Sequence, residues 1–579
     1  MNEMNNQSKK QDETGLNNIS GNMYSYRDDN NNNNQNATVG EAIRRSIQEG
    51  NPNIDRNQNN YATGYEQNNN INGFQQQISS NISENNSLYW VTFLIIGFFE
   101  VVILIALAIL FEKKITFSGV SRISSSSEHA NDNDNYNYGL LRDMNVMIFI
   151  GFGMLHSLLR RNTWTSITIN TLMIAISIQL GLFFNFIWER AFTENWDDQE
   201  LHFDFIIEAV FISSSVLVTL GCVLGKLSII QYIIMTILET IICSLNFKLC
   251  AVKLRALDHG GALYIHTFGT IFGLSITIVL FCSSKVKNSF RNFDYYNKNS
   301  YFSNKTSFLG MLFLFCFFPS FNSALCLKDK IRERGRINTY FSLFGSVMSS
   351  FITSALLNGG RFVFEQILFG SISGAIIISG CCTVCLDHWA SIIIGTLGGV
   401  ISVILLSKAK PYFVNWGLQD ICNVIIIHGI SGLLGGFITP MFISGFDYRF
   451  EKAKNEGGTD KYDEDYKSYI DLINKNINQN FQAQAGIQIG ALFISIAISF
   501  IGGIATGYMM KISKCGKINL YFIDAEFFKE EEKDIFKYIE PNISYSVDIN
   551  NPSLFPKKMD FSSYNNHDIR GIGNQQSYY

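Results

Sequence analysis

The segments DHGGALYIHTFGTIFGL (258–274) and DICNVIIIHGISGLLGG (420–436) carry one pattern twice: an aspartate followed eight positions later by a histidine, at the opening of a long apolar helix. The predicted helices that carry them are five apart along the chain. Because five is odd, they cross a membrane in opposite directions, as in inverted repeats with a site between them at mid-depth. Eight helical residues rise about 12 Å, so each histidine approaches the middle of a bilayer core about 30 Å thick.

Apolar windows long enough to span a bilayer, roughly 20 residues each, recur on both sides of these segments. We count about twelve such windows. They lie near residues 88–111, 144–159, 162–187, 203–223, 226–250, 258–282, 305–326, 338–357, 363–383, 388–406, 417–443 and 485–511. The sequence therefore predicts an all-α membrane protein.

Composition divides the 579 residues into three parts. Residues 1–87 are dominated by Asn, Gln, Ser and Gly, and such a segment buries too little apolar surface to offset chain entropy, so we expect a disordered tail. Residues 88–511 form the predicted membrane domain. Residues 512–579 return to polar composition and are predicted to be a solvated tail in the cytosol.

Charge and motifs exclude several functional classes. The formal net charge of −4 gives no basic footprint for a nucleic-acid partner. No Walker-type phosphate loop is found, and no second ligand set completes a metal site beside Cys381, Cys382 and Cys385. We therefore predict no cofactor, no metal and no enzyme activity.

Basic residues in the short loops predict the orientation of the chain. They fall mainly on one side, and an even number of helices places both termini there, in the cytosol. Basic residues in 252–255 and 327–336 fall on the opposite side. The first apolar run begins deep in the chain and is long enough to span, so we expect a retained helix and not a cleaved signal peptide.

His266 and His428 are the candidates for chemistry, because ionisable residues in membrane helices cost roughly 2.5–3.5 kcal/mol each on insertion scales. A neutral imidazole has one donor and one acceptor, so two facing rings can share a proton and still present a nitrogen to a small guest. The alternative is that each ring only hydrogen-bonds a neighbouring helix. We expect that plain role for His156, His259 and His388, which have no matched partner.

The segments GGALYIHTFGTIFGL (260–274), PSFNSA (319–324) and LQDICNVIIIHG (418–429) resemble the Rh glycoprotein branch of the ammonium transporter superfamily, and the likeness spans nearly all the hydrophobic portion. The resemblance implies an extra first helix followed by an eleven-helix core built from two inverted five-helix repeats. It also implies a homotrimer in the plasma membrane, with a pore in every subunit.

The resemblance further implies three pairs of site residues: pore histidines His266 and His428, gate phenylalanines Phe211 and Phe321 at the outer mouth, and buried acids Asp258 and Asp420 near the two ends of the pore. Ordinary packing is the alternative for the gate pair, because the chain has 48 phenylalanines. The acids would attract a cation or orient the backbone.

The function implied is passive transport of ammonium or ammonia, with methylammonium as an analogue. An ion costs far more to move through an apolar tube than its neutral form, so ammonium would lose its proton at the mouth. Two alternatives stay open: a carbon dioxide channel, and a non-conducting scaffold or ammonium sensor.

The chain departs from the Rh pattern at two places. Between the second aspartate and histidine, where Rh glycoproteins typically have a glycine and amide side chains, this chain has Asn423 followed by three isoleucines at 425–427. The acidic vestibule residue common at the position of Phe247 is missing. These changes affect the expected recruitment of cations, and not the fold.

Overall fold

The computed structural model describes residues 90, 93–94, 96–108, 130–159, 163–196, 203–281, 299–326, 329–385, 387–416, 418, 420, 422–445 and 481–512. The chain divides into two compact units. The first, Met1–Asn81 with Pro541–Tyr579, lies outside the described residues, and the second, Ile82–Glu540, contains every element below. The predicted tails at 1–87 and 512–579 therefore also lie outside them, apart from Ile512.

Twelve apolar helices dominate the described part of the chain. They are α1 (Ile96–Ala108), α2 (Tyr138–Leu158), α3 (Thr163–Thr193), α4 (Phe203–Val223), α5 (Ile229–Lys253), α6 (Ala262–Phe281), α7 (Tyr301–Ser323), α8 (Lys330–Leu357), α9 (Phe364–Ile378), α10 (His388–Lys408), α11 (Ile425–Ser444) and α12 (Gln482–Met510). Ten are long and apolar enough to cross a membrane, and α1 and α9 are shorter. No described residue lies in a strand, and each predicted window overlaps one helix. The predicted all-α membrane fold is confirmed.

Small polar residues hold the helices together where no water is available. Ser342 and Ser346 are four apart on α8 and so share one face. Their hydroxyls donate to the carbonyl oxygens of Gly374 and Ser371, both on α9, at 2.7 and 2.6 Å. Small residues let helix backbones approach closely, and this is how membrane helices associate without a hydrophobic driving force between them.

Helix α8 begins earlier than its apolar window predicts. The sequence indicates a helix from about 338 and a basic loop over 327–336, whereas α8 already begins at Lys330. Lys, Arg and Glu are good helix formers, so the helix continues through the charged segment. Buried Arg332 donates from Nε to the carbonyl oxygen of Cys326 at 2.6 Å. The apolar window marks the membrane stretch and not the start of the helix.

Candidate functional site

The two histidines of the repeated pattern meet in the interior of the protein. His266 lies on a π-helical turn, Ala262–Thr267, at the start of α6, and His428 on a second one, Ile425–Ile430, at the start of α11. Their Nδ1 atoms are 3.1 Å apart and their ring centroids 5.1 Å apart. Wide turns of this kind occur frequently at functional sites. The predicted pairing of the two rings is present.

The contact between the two Nδ1 atoms requires that one ring donates and the other accepts. The pair therefore shares one proton, and each ring keeps its Nε2 for another partner. Nε2 of His266 is buried and has no hydrogen-bond partner among the described residues. The arrangement leaves a polar atom available to a small guest inside an otherwise apolar region.

Aromatic rings flank the histidine pair on both sides. The ring of Phe152 stacks on His428, with centroids 6.1 Å apart and planes at 25°. Phe318 lies 6.4 Å from His266. Both phenylalanines are buried, so the imidazoles lie in a low-dielectric environment. The sequence analysis did not predict a role for Phe152. Its position within the segment GFGMLHSLLRR (151–161) could have indicated one.

The two predicted gate residues stack directly on each other. The rings of Phe211 and Phe321 are nearly parallel, at 8°, with centroids 4.6 Å apart, and both are buried. Phe318 meets the edge of Phe321 at 6.2 Å and so links this stack to His266. The structure thus brings the predicted phenylalanines and histidines into one continuous row of rings.

The two predicted acids lie at the beginnings of the histidine-bearing helices. Asp258 accepts hydrogen bonds from the backbone N–H groups of Ala262, Leu263 and Tyr264 at 2.8, 2.7 and 3.1 Å. Asp420 accepts from those of Val424 and Ile425 at 2.7 and 2.6 Å. The first N–H groups of a helix have no partner within the helix, and carboxylates are favourable there. These bonds orient the backbone that carries each histidine.

A left-handed residue lies three positions after each aspartate. Gly261 has φ of 81° and Asn423 has φ of 55°. Glycine adopts this conformation freely, and among other residues asparagine is one of those that best tolerate it. The departure at Asn423 therefore keeps the backbone geometry that its counterpart, Gly261, provides in the first repeat.

We expect Asn423→Val to destabilise the protein by about 1–2 kcal/mol, because a β-branched residue is strained at positive φ. Asn423→Gly is the matched control and should unfold at the same temperature as the native chain, or slightly above it. Thermal unfolding of the purified protein in detergent measures both. Equal unfolding temperatures for the valine and glycine variants would contradict this assignment.

The remaining predicted histidines divide into two kinds. Nδ1 of His259 lies 2.9 Å from Thr383 Oγ1, and Nδ1 of His388 lies 2.9 Å from Asn338 Oδ1, so both have the plain role expected. His156 differs. Its buried Nδ1 has no hydrogen-bond partner among the described residues, and its ring lies 5.7 Å from Phe152. No hydrogen bond is seen at this nitrogen, and the hydrogen-bonding role expected for His156 stays a prediction. Its ring extends the row of rings beyond His428 by way of Phe152.

An ion triad of one buried lysine and two half-buried carboxylates lies near the position where the vestibule acid is missing. Next to Phe247, Lys248 is only 3% exposed, and its Nζ contacts Glu189 Oε2 and Glu208 Oε2, both at 2.7 Å. Two carboxylates and one ammonium group leave a net charge of −1. Glu208 precedes Phe211 by three residues and therefore lies one helical turn from the stacked rings. The sequence analysis did not predict this triad, although an acidic residue within an apolar helix, such as Glu208, indicates a functional site.

The cysteine cluster contains no disulfide within the described residues. Cys381, Cys382 and Cys385 are all buried. The thiol of Cys382 donates to the carbonyl oxygen of Asn322 at 3.3 Å, as a small polar side chain in a core does. No group of three or more His, Cys, Asp or Glu residues in the described ranges is arranged to hold a metal ion.

Comparison with known proteins gives consistent matches. The model of the Ammonium Transporter Family matches residues 101–518. The ammonium transporter Rh type B-B of Xenopus laevis is 30% identical over 412 residues, which are 70% of this chain and 83% of the relative. The ammonium transporter Rh type C of Homo sapiens is 29% identical over 412 residues, or 70% of this chain and 81% of the relative.

Solved structures show the same fold. That of Nitrosomonas europaea Rh50, from the Rhesus protein family of channels, has a TM-score of 0.55 at 22% identity and covers 70% of this chain and 97% of its own. A sensor Amt protein has a TM-score of 0.52 at 16% identity and covers 70% of this chain and 97% of its own. From the family match over most of its length and its apolar helices, the chain is a multi-pass membrane protein that belongs to the ammonium transporter family.

Proposed function

We propose that the chain conducts ammonia passively, through a narrow pore that passes the His266–His428 pair, and that ammonium leaves its proton at the mouth. The observation that carries this proposal is the contact of 3.1 Å between the two Nδ1 atoms within a row of buried rings. No other pair of described residues combines two imidazoles, burial and matched places on two helices.

The chemistry of the guest suits this pair. Ammonia has one lone pair and three N–H groups, so it both accepts and donates hydrogen bonds. A pair of neutral imidazoles that share a proton offers both functions as well. Burying an unpaired charge costs several kcal/mol or more even after relaxation, so the apolar surroundings favour the neutral form. The histidines thus replace part of the hydration that ammonia loses.

The Phe211–Phe321 stack would act as the gate. Closely stacked rings exclude water, so a guest that passes between them has to lose its hydration shell. The ion triad Glu189–Lys248–Glu208 lies one turn away and gives this end of the pore a negative charge that attracts a cation before it is deprotonated. Asp258 and Asp420 would hold the two histidine-bearing turns in place through their backbone bonds.

The resemblance to Rh glycoproteins supports a homotrimer. The basic residues of the short loops and an even number of helices support both termini in the cytosol of a plasma-membrane protein. Large apolar side chains on α8 are consistent with contact with lipid or with a second subunit: Met348, Ile352 and Leu356 are 64%, 56% and 79% exposed. Such a face on a soluble monomer would be an aggregation hazard.

The proposal is tested by uptake of ammonia and methylammonium into proteoliposomes that contain the purified chain. We expect faster uptake than into empty vesicles of the same lipid. Rates equal to those of empty vesicles would reject conduction and leave the scaffold or sensor role. Carbon dioxide permeability is measured in parallel, and an increase for that gas alone would favour the carbon dioxide channel.

Phe321→Ala is expected to reduce selectivity by size, because it removes one of the two stacked rings. The ratio of dimethylammonium to methylammonium uptake should rise several-fold, and the protein should lose about 3–5 kcal/mol of stability, as for other buried phenylalanines. Phe500→Ala, at a phenylalanine that is 49% exposed, is the matched control. Size-exclusion chromatography checks assembly; loss of assembly, or an unchanged uptake ratio, would contradict the gating role.

A further inference from the structure

Glu239 is a carboxylic acid in the interior of the protein that the proposed pathway does not use. It lies in the middle of α5 and is 0% exposed. No lysine, arginine or histidine of the described residues forms an ion pair with it. An ionised carboxylate at the centre of a membrane helix, with no cation beside it, is strongly unfavourable.

The hydrogen bonds around Thr219 indicate the protonation state of this acid. Oγ1 of Thr219 lies 2.6 Å from Glu239 Oε1 and 2.8 Å from the carbonyl oxygen of Gly269. A hydroxyl group has one hydrogen, and a carbonyl oxygen only accepts. If the Thr219 hydrogen goes to Gly269, the shorter contact requires a hydrogen on the glutamate. An ionised glutamate would instead accept the Thr219 hydrogen. The lone pairs of Thr219 Oγ1 and of the Gly269 carbonyl oxygen would then face each other at 2.8 Å.

The second carboxyl oxygen supports the same assignment. Oε2 of Glu239 is buried, the hydroxyl group of Ser215 is the second polar side chain beside this carboxyl group, and no cation of the described residues lies near it. An ionised carboxylate would leave this oxygen with uncompensated negative charge, whereas in the neutral acid it is an ordinary carbonyl oxygen. The neighbouring titratable side chain on the same helix is the Cys243 thiol, which donates to the carbonyl oxygen of Tyr264 at 3.6 Å.

This bond joins three helices at one hydroxyl group. Glu239 lies on α5, Thr219 on α4 and Gly269 on α6, three residues after His266. The contact between α4 and α6 is tight here, because a Cβ on Gly269 would lie 2.5 Å from the carbonyl oxygen of Ser215. Thr219 follows Phe211 by eight residues on the same helix. Loss of this hydrogen bond would therefore allow α4, which carries Phe211, to move relative to α6, which carries His266.

We infer that Glu239 is a neutral carboxylic acid that donates to Thr219 and acts as a positioning residue, holding the helix of His266 against the helix of Phe211. This inference rests on the proposed function only for its effect on transport. The protonation state and the hydrogen bond stand on the geometry of Thr219.

The test combines infrared spectroscopy of the full chain in detergent with transport by variants. The native chain should show the carbonyl stretch of a protonated carboxylic acid from mildly acidic to mildly alkaline pH. This band should be missing from Glu239→Gln. A missing native band, or one that disappears as the pH rises through this range, would overturn the neutral assignment.

Transport then tests the positioning role. Glu239→Gln retains a donor and should conduct ammonia at nearly the native rate, and Thr219→Ser should do so as well. Glu239→Leu and Thr219→Val remove the bond and should lower the rate by roughly tenfold. Loss of transport in Glu239→Gln, or native transport in Glu239→Leu, would overturn the role.

Failure of this inference is distinguishable from failure of the proposed function. If the native chain conducts no ammonia, the proposed function fails, while the infrared band still decides whether Glu239 is a neutral acid. If the native chain conducts ammonia and the band is missing, only the assignment of Glu239 fails.

Discussion

His266→Ala and His428→Ala are each expected to lower ammonia permeability in proteoliposomes by about tenfold or more, because either change leaves the other imidazole without its partner in a buried site. The Nδ1 atoms are 3.1 Å apart, and Phe152 and Phe318 cover the two rings. Once one ring is removed, the shared proton has no acceptor, and a guest at Nε2 meets an imidazole whose tautomer is no longer fixed.

Two further variants complete this experiment. His388→Ala removes an imidazole that is exposed and pairs with Asn338 away from the row of rings, so it should conduct at the native rate. His428→Gln keeps a donor and an acceptor and should retain part of the flux. If both pore alanine variants conduct as fast as His388→Ala, the histidine pair has no role in conduction.

Gly432→Val should have the second large effect, because it pushes apart the two helices that bring the histidines together. A Cβ at position 432 would lie 2.8 Å from the Cβ of His266 and 3.1 Å from the backbone nitrogen of Thr267. Overpacking of this kind costs typically about 1–3 kcal/mol, and here it also lengthens the contact between the imidazoles. We therefore expect loss of ammonia flux together with a lower melting temperature.

The matched control is Gly486→Val on α12. A Cβ at Gly486 would meet no atom within 4 Å, so this variant has the same helix propensity cost and no collision. Proteoliposome flux and thermal unfolding are measured for both. Native flux in Gly432→Val would show that the approach of α6 to α11 does not matter for conduction.

The parts of the fold that depend on local pattern were predictable from the sequence. A window of apolar residues marks a membrane helix wherever it lies, and all twelve windows overlap a helix. The pairing of His266 with His428 was predictable because the same aspartate-to-histidine spacing occurs twice, and repeats of this kind place matched residues at one interface.

The parts that depend on three-dimensional neighbours were not predictable. The π-helical turns under both histidines have no simple sequence pattern. Phe152 approaches His428 from a helix far away in sequence, and His156 lies beside Phe152 on that helix. Lys248 joins carboxylates of two other helices. Hydropathy windows do not indicate Glu239, because a single acidic residue changes the mean hydropathy of its apolar neighbours only slightly. Only the packing of the helices brings these groups together.

The central claim is that neutral ammonia, and not ammonium, passes the histidine pair. The most direct measurement follows internal pH in proteoliposomes after an inward ammonium gradient is applied, at several membrane potentials fixed by potassium and valinomycin. Entry of ammonia takes up a proton inside, so we predict alkalinisation faster than in empty vesicles, at a rate that does not change with the potential. Uptake without alkalinisation, at a rate that follows the membrane potential, would show that the charged ion crosses and would contradict the account.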